Sequence, residues 1–266
     1  MLVVNGMDFS YGNNVVLENT SFYLESNTVN YVIGSNNSGK TTLIKLLSGV
    51  LPSFNCIMID DILLNKRNLN RYVRAMGVVL FENRNQFLFD SVLKEMSFPL
   101  ENLFISKQRI YDRIDDVLSL MNFKSIKYKN VNDLTDMEKV KLLIAISILH
   151  KPKVLLLDNP YINLNEKDSN VINKVLRTIC RKEYITILVT TNDLYNVVNA
   201  DRLLVLGDNT IVLQGTVLEV LKQDNKLTRL GINIPIMVDL SIKLGEYGLL
   251  DKIILSPDRM VDVLWK

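Results

Sequence analysis

Apolar positions along this chain follow two rhythms, and their alternation outlines a fold. Val154-Leu155-Leu156-Leu157 ahead of Asp158, and Thr186-Ile187-Leu188-Val189-Thr190, are short continuous apolar runs. Such runs mark strands covered on both faces of a parallel sheet. Between Ser91 and about Ser125, Ile110, Ile114, Val117, Leu118 and Met121 recur at helical spacing, and 137–149 and 167–181 read as further helices. Residues 1–33 read as short strands: Met7 to Tyr11, a Gly12-Asn13-Asn14 turn, then an alternating stretch from Val15 to Leu24. Stretches 56–59, 76–81, 202–206 and 210–213 add strands, and a helix runs to about Leu51, where Pro52 and Ser53 stop it. The pattern predicts an α/β domain over 1–215, with a mostly parallel sheet and an antiparallel β-layer from the N-terminal strands. An α-helical subdomain is expected as an insertion at about 83–150. After Gly215 short helices are punctuated by Gly231, Pro235, Gly245, Gly248 and Pro257, which places a small C-terminal domain at 216–266.

Composition narrows the function without naming it. The 266 residues are 48% hydrophobic and 23% charged, enough to bury a full core. A net charge of +2 offers no footprint for nucleic acid. Cys56 and Cys180 stand far apart and outside metal-type spacings, which favours a reducing, cytoplasmic setting. The first residues lack the basic and apolar blocks of a signal peptide. No run approaches the roughly 18 apolar residues of a membrane span. Membrane association is therefore expected through a partner. The lone histidine, His150, precedes Lys151-Pro152 at an expected helix end, where a charged ring would suit the dipole, so a structural role is expected of it.

The chemistry is set by Gly34-Ser35-Asn36-Asn37-Ser38-Gly39-Lys40-Thr41, which fits G-x-x-x-x-G-K-[ST] without deviation. An apolar run (Val29 to Ile33) precedes it and a helical pattern follows, the strand–loop–helix context the motif needs. Glycines let the backbone curl so that its N–H groups face a phosphate at a helix N-terminus. Lys40 is expected to reach the β- and γ-phosphates, Thr41 to ligate Mg²⁺, and Thr42 to complete the nucleotide-binding set. A nucleoside triphosphate, ATP with Mg²⁺, is the expected ligand.

Further residues carry a family likeness. Lys151-Pro152-Lys153-Val154-Leu155-Leu156-Leu157-Asp158-Asn159-Pro160 resembles the Walker B segment of ABC ATPases, in which Asp158 would serve the Mg²⁺. Leu134-Thr135-Asp136-Met137-Glu138 falls where that family carries its L-S-G-G-Q signature, and Phe9-Ser10-Tyr11 resembles its adenine-stacking aromatic loop. Asn85-Gln86, Leu230 to Pro235, Leu244 to Leu249 and Ile254-Leu255-Ser256 resemble energy-coupling-factor (ECF) transporter ATPases. The resemblance implies a P-loop ABC nucleotide-binding fold and an ATP-binding subunit at the cytoplasmic face of the membrane. It also implies a second ABC ATPase subunit, an integral membrane coupling protein, and a membrane protein that binds the substrate, a vitamin or metal ion.

Several positions depart from that family's pattern. Asn159 stands where a catalytic glutamate is expected; an amide can orient water but not take its proton. Asn192 falls at the switch histidine and would donate only a neutral hydrogen bond. Phe81 or Glu82 occupies the Q-loop glutamine position, and Asn165 ends the D-loop (Tyr161 to Asn165) in place of aspartate. Asp136 and Met137 replace the signature glycines, and Asp136 brings a negative charge toward phosphate. Like charges at about 4 Å repel by several kcal/mol at an effective dielectric near 20. Glu138 is expected to favour the helix N-terminus. Glu166, eight residues past Asp158, is expected to lie beyond the site. The substitutions spare binding and oppose turnover, which suggests the degenerate half of a heterodimeric pair with weak or absent hydrolysis. The alternative is a nucleotide-dependent structural or regulatory protein without a transport role.

Overall fold

The computed structural model describes residues 1–81, 87–197, 200–232, 234–251, 253–254 and 257–264. The chain starts with a hairpin of β1 (Leu2–Tyr11) and β2 (Asn14–Leu24), turned at Gly12 with φ +57°. β3 (Val29–Ile33) is buried along its whole length and leads through the phosphate loop into α1 (Lys40–Leu47). That helix stops earlier than the expected Leu51, because Gly49 turns the chain at φ +76°. β4 (Ile57–Ile59) and β5 (Ile62–Leu63) complete an antiparallel sheet of order β2-β1-β4-β5. A short α2 (Leu69–Arg74) precedes β6 (Met76–Leu80).

Between β6 and the next strand lies a helical insertion: α3 (Val92–Glu101), α4 (Lys107–Leu120) and α5 (Asp136–Ile148). The single helical run expected over 91–125 is thus two helices. Phe104 adopts the left-handed conformation (φ +57°) and Ser106 is extended, so the chain reverses between them. β7 (Val154–Asp158), α6 (Glu166–Glu183), β8 (Thr186–Thr191), β9 (Arg202–Gly207) and β10 (Thr210–Gly215) follow. The main sheet has the order β10-β9-β3-β8-β7-β6, parallel except for the β9–β10 pair. The tail holds α7 (Val217–Leu221), α8 (Asp224–Arg229), α9 (Ile236–Glu246) and α10 (Pro257–Leu264).

The period-two alternation of strands divides the core. Val32, Leu156, Leu188 and Leu204 point to the face packed by α1 and the antiparallel β-layer. Tyr31, Ile33, Leu155, Leu157, Ile187 and Val189 point to the opposite face, against α5 and α6. Both faces are covered, which explains the unbroken apolar runs. Val217, Leu221, Leu227, Val238 and Ile242 of the tail share this second core. Leu250, Ile254 and Met260 form a small cluster of their own with Met237 and Leu244.

The helical insertion is tied to the sheet domain by Arg113. Its guanidinium donates to the carbonyls of Leu149 (3.0 Å) and Ile148 (2.9 Å) at the end of α5, and to both oxygens of Glu183 on α6 (3.1 and 2.9 Å). The cation serving the α5 C-terminus is therefore Arg113 and not His150. The His150 ring bonds through Nε2 to the Met76 carbonyl at 2.8 Å, and burial pulls its pKa below the ordinary value, with Arg113 adding repulsion. His150 is structural, as expected, but its ring favours the neutral form over the charged one that the helix dipole suggested.

Candidate nucleotide site

The site is built at the C-terminal edge of the main sheet, where β3, β7 and β8 end. Gly34 closes β3 under the Leu206 carbonyl; a Cβ there would lie 2.5 Å from that oxygen. Gly39 has φ +98°, and a Cβ would come within 2.9 Å of Val16 Cγ1 on the N-terminal hairpin. Both glycines of the motif are thus demanded by close approach. Asn37 is left-handed (φ +63°), a conformation that asparagine tolerates best after glycine. Ser35, Asn36 and Asn37 are exposed at the mouth, while Ser38, Gly39, Thr41 and Thr42 are half-buried.

Lys40 curls back into the loop. Its ammonium donates to the carbonyls of Gly34 (2.9 Å) and Ser35 (2.7 Å) and to the Ser38 hydroxyl (3.3 Å). Desolvation lowers its pKa from the ordinary 10.5 to about 8, with the Asp158 carboxylate pulling the other way. Asp158, buried at the end of β7, accepts from the Thr41 hydroxyl at 2.7 Å and from the Thr190 hydroxyl at 2.5 Å. Hydroxyl and carboxylate oxygens converging there fit a hard cation such as Mg²⁺. Sequence reading missed Thr190; its only signal was a hydroxyl at the end of an apolar strand beside that of Asp158.

Asn159 takes the left-handed conformation (φ +53°), and its N–H donates to the Thr190 carbonyl (3.1 Å) and hydroxyl (3.0 Å). Asn192 Nδ2 donates to Asn36 Oδ1 at 2.6 Å, an amide clasp joining the end of β8 to the phosphate loop. Asn159, Tyr161, Glu166, Thr191, Asn192 and Asp193 line one cavity of about 450 Å³ beside this clasp. Glu166, expected to lie beyond the site, is thus one of the cavity's walls.

Tyr11, 49% exposed, stands edge-on to Phe9 at 4.9 Å, on the hairpin whose Val16 abuts Gly39. A half-exposed aromatic ring of this kind is suited to stacking. At the start of α5 the Thr135 hydroxyl accepts from the Glu138 N–H (3.2 Å), and Glu138 Oε2 accepts from the Thr135 N–H (2.9 Å). That is a reciprocal capping box. Glu138 therefore favours the helix start as expected, and the Thr135 N–H with Lys129 holds its carboxyl below the usual range. Asn165 caps α6 by accepting from the Asp168 N–H at 2.9 Å. Phe81 packs half-buried against the second core. Glu82, Asn85, Gln86, Asn233, Leu255 and Ser256 lie outside the described residues.

A phosphate loop between a parallel strand and a helix, with a buried carboxylate at the end of β7 two strands away, defines a P-loop nucleotide-binding domain. The family model described as "ABC transporter" matches residues 17–162. The energy-coupling factor transporter ATP-binding protein EcfA1 of Geobacillus kaustophilus is 27% identical over 269 residues, covering 100% of this chain and 96% of the relative. Its namesake in Streptococcus pyogenes serotype M5 is 30% identical over 233 residues, covering 87% of this chain and 84% of the relative. Among solved structures, cbiO1 from Clostridium perfringens, described as part of the ABC transporter complex cbiONQ, superposes with a TM-score of 0.76 at 25% identity. That match covers 88% of this chain and 95% of cbiO1. A nucleotide-free ATP-binding cassette matches at TM-score 0.76 and 20% identity, a likeness of fold alone. The chain belongs to the ABC transporter family, among its energy-coupling factor transporter ATP-binding proteins. Among the described residues no helix is long and apolar enough to cross a membrane.

Proposed function

We propose that this chain is the ATP-binding subunit of an ECF-type importer and the catalytically degenerate half of a heterodimeric ATPase pair. ATP would be gripped by the phosphate-loop N–H groups and Lys40, with Tyr11 against the adenine. Thr41 and Asp158 would hold Mg²⁺, which neutralises phosphate charge when bound. The reading is carried by one observation: the residue that follows Asp158 and lines the cavity is Asn159, an amide. An amide accepts no proton near neutral pH, and losing a positioned base typically costs about 10²–10⁴ in rate. Asn192 supplies a neutral donor already engaged with Asn36.

The chain's own phosphate loop would face the signature of the second ATPase, and that site would keep ATP without cleaving it. The partner's loop would face Leu134 to Glu138, where slow hydrolysis is expected. ATP that prefers the closed pair still shifts its population by its differential affinity. We assign the helical unit at about 83–150 to an integral membrane coupling protein and residues 216–266 to pairing. Ile236 (83% exposed) and Tyr247 (81%) on that tail are apolar surface suited to pairing. The subunit would sit peripherally at the cytoplasmic face, with a vitamin or metal ion bound by a separate membrane protein.

The test is steady-state phosphate release by wild type and Asn159→Glu protein, each alone and with its co-purified ATPase. Asn159→Glu is expected to raise turnover at least about tenfold. Wild-type turnover alone of about 1 s⁻¹ or more would refute the lost base.

A further inference from the structure

We propose that Tyr161 is a positioning residue whose buried hydroxyl, shared with Tyr31 and Asn173, fixes the loop 159–165 beside the terminal-phosphate pocket. The proposal rests on the reading above only in taking that loop to face the nucleotide.

Tyr31 lies on β3, three residues before Gly34, and points to the α6 side of the sheet. Its hydroxyl is 2.6 Å from that of Tyr161, and both reach Asn173 Oδ1 on α6, at 3.0 and 2.5 Å respectively. The tyrosines are 2% and 7% exposed. Two hydroxyl protons serve three mutual contacts, so the position of each group constrains the other two. Burial raises the Tyr31 pKa to about 12 and that of Tyr161 well above its ordinary value, so both stay protonated donors. The Asn173 amide donates onward to the Asn196 carbonyl at 3.4 Å, in the helical turn 194–196 just past Asn192. The cluster thereby joins the strand entering the phosphate loop, the loop after Asp158, α6, and the turn after Asn192.

The loop needs such an anchor. Ile162 and Asn163 are exposed, Asn163 is left-handed (φ +63°), and Leu164 is only half-buried. Pro160 is buried as well, but Tyr161 is the buried residue of this stretch whose side chain makes directional contacts, to Tyr31 and Asn173. A phenyl ring would fill the same volume, but apolar contact is non-directional. The hydroxyl contacts, being directional, set where the ring and the attached backbone come to rest.

Three variants of the full chain separate these roles: Tyr161→Phe, Tyr31→Phe and Asn173→Asp. Asn173→Asp keeps the oxygen that both tyrosines use and removes the amide that reaches Asn196. Amide hydrogen exchange is followed with and without ATP and Mg²⁺. Tyr161→Phe and Tyr31→Phe are each expected to speed exchange at 161–165 at least about tenfold, with β7 and β8 unchanged. In Asn173→Asp, exchange at 161–165 should stay within about twofold of wild type and rise at 194–196. Unchanged exchange at 161–165 in both phenylalanine variants, or equal acceleration across the sheet, would overturn the proposal. If ATP fails to protect 159–165 in wild type while the phenylalanine variants still loosen the loop, the nucleotide reading falls and the positioning role stands.

Discussion

Lys40 offers a quantitative handle on the nucleotide site. Its ammonium is half-buried among the carbonyls of Gly34 and Ser35, and its pKa falls to about 8. Triphosphate demands the charged form, so binding must be linked to proton uptake wherever free Lys40 is neutral. At a pKa of about 8, roughly three-quarters of the chains carry the charge at pH 7.5 and about 3% at pH 9.5. ATP affinity should therefore fall about 25-fold over those two pH units. An ordinary lysine, near 10.5, would lose only about 10%. Titration calorimetry in two buffers of different ionisation enthalpy should register about half a proton taken up at pH 8. Lys40→Arg keeps its charge throughout and should abolish the pH slope, whatever it does to affinity. Stability moves in the opposite sense. Between about pH 8 and 10.5 the unfolded chain binds more protons at this residue than the folded one, so its contribution to nucleotide-free stability rises with pH while affinity falls. An affinity change below about twofold between pH 7.5 and 9.5 would refute the reasoning.

Arg113→Ala should be the costliest single change outside the site. It leaves Glu183, whose side chain is 18% exposed, without its cation and the Leu149 carbonyl without its Arg113 donor. Breaking such a pair costs about 3 kcal/mol, which lowers Tm by roughly 6–12 °C in a chain of this size. Scanning calorimetry should find part of that loss restored in Arg113→Ala/Glu183→Gln. Thr135→Ala removes one arm of the capping box and should cost about 1 kcal/mol in urea denaturation, with ATP binding by the chain's own phosphate loop intact.

The phosphate loop was legible because its motif is local in sequence, as were the apolar runs of β7 and β8. The reasons for its glycines are tertiary: Leu206 and Val16 crowd Gly34 and Gly39 from distant strands, and no spacing rule reveals that. The same holds for Thr190, whose bond to Asp158 depends on β7 and β8 lying side by side. The backbone role of several asparagines could be weighed only with dihedrals in hand. Asn37, Asn159 and Asn163 all have positive φ, a conformation in which a branched or bulky side chain would be strained. Asn165, read as a departure, keeps the capping duty an aspartate would perform, since either side chain offers an oxygen to the Asp168 N–H. The charge suggested for His150 does not hold, because propensity at a helix end says nothing of Arg113, which arrives from α4 and donates to those carbonyls. The two-residue β5 and the single-turn-scale α2 carried too short a pattern to be seen.

The box formed by Thr135 and Glu138 gives α5 a built-in counter-ion. A helix start ordinarily presents unclaimed amide hydrogens to incoming anions. Here the Glu138 amide is already spoken for by a hydroxyl, and a carboxylate sits over the Thr135 amide. A phosphate approaching this lip from an opposing molecule therefore finds two amides already claimed, and the Glu138 carboxylate that claims one of them is itself balanced by Lys129 at 3.3 Å.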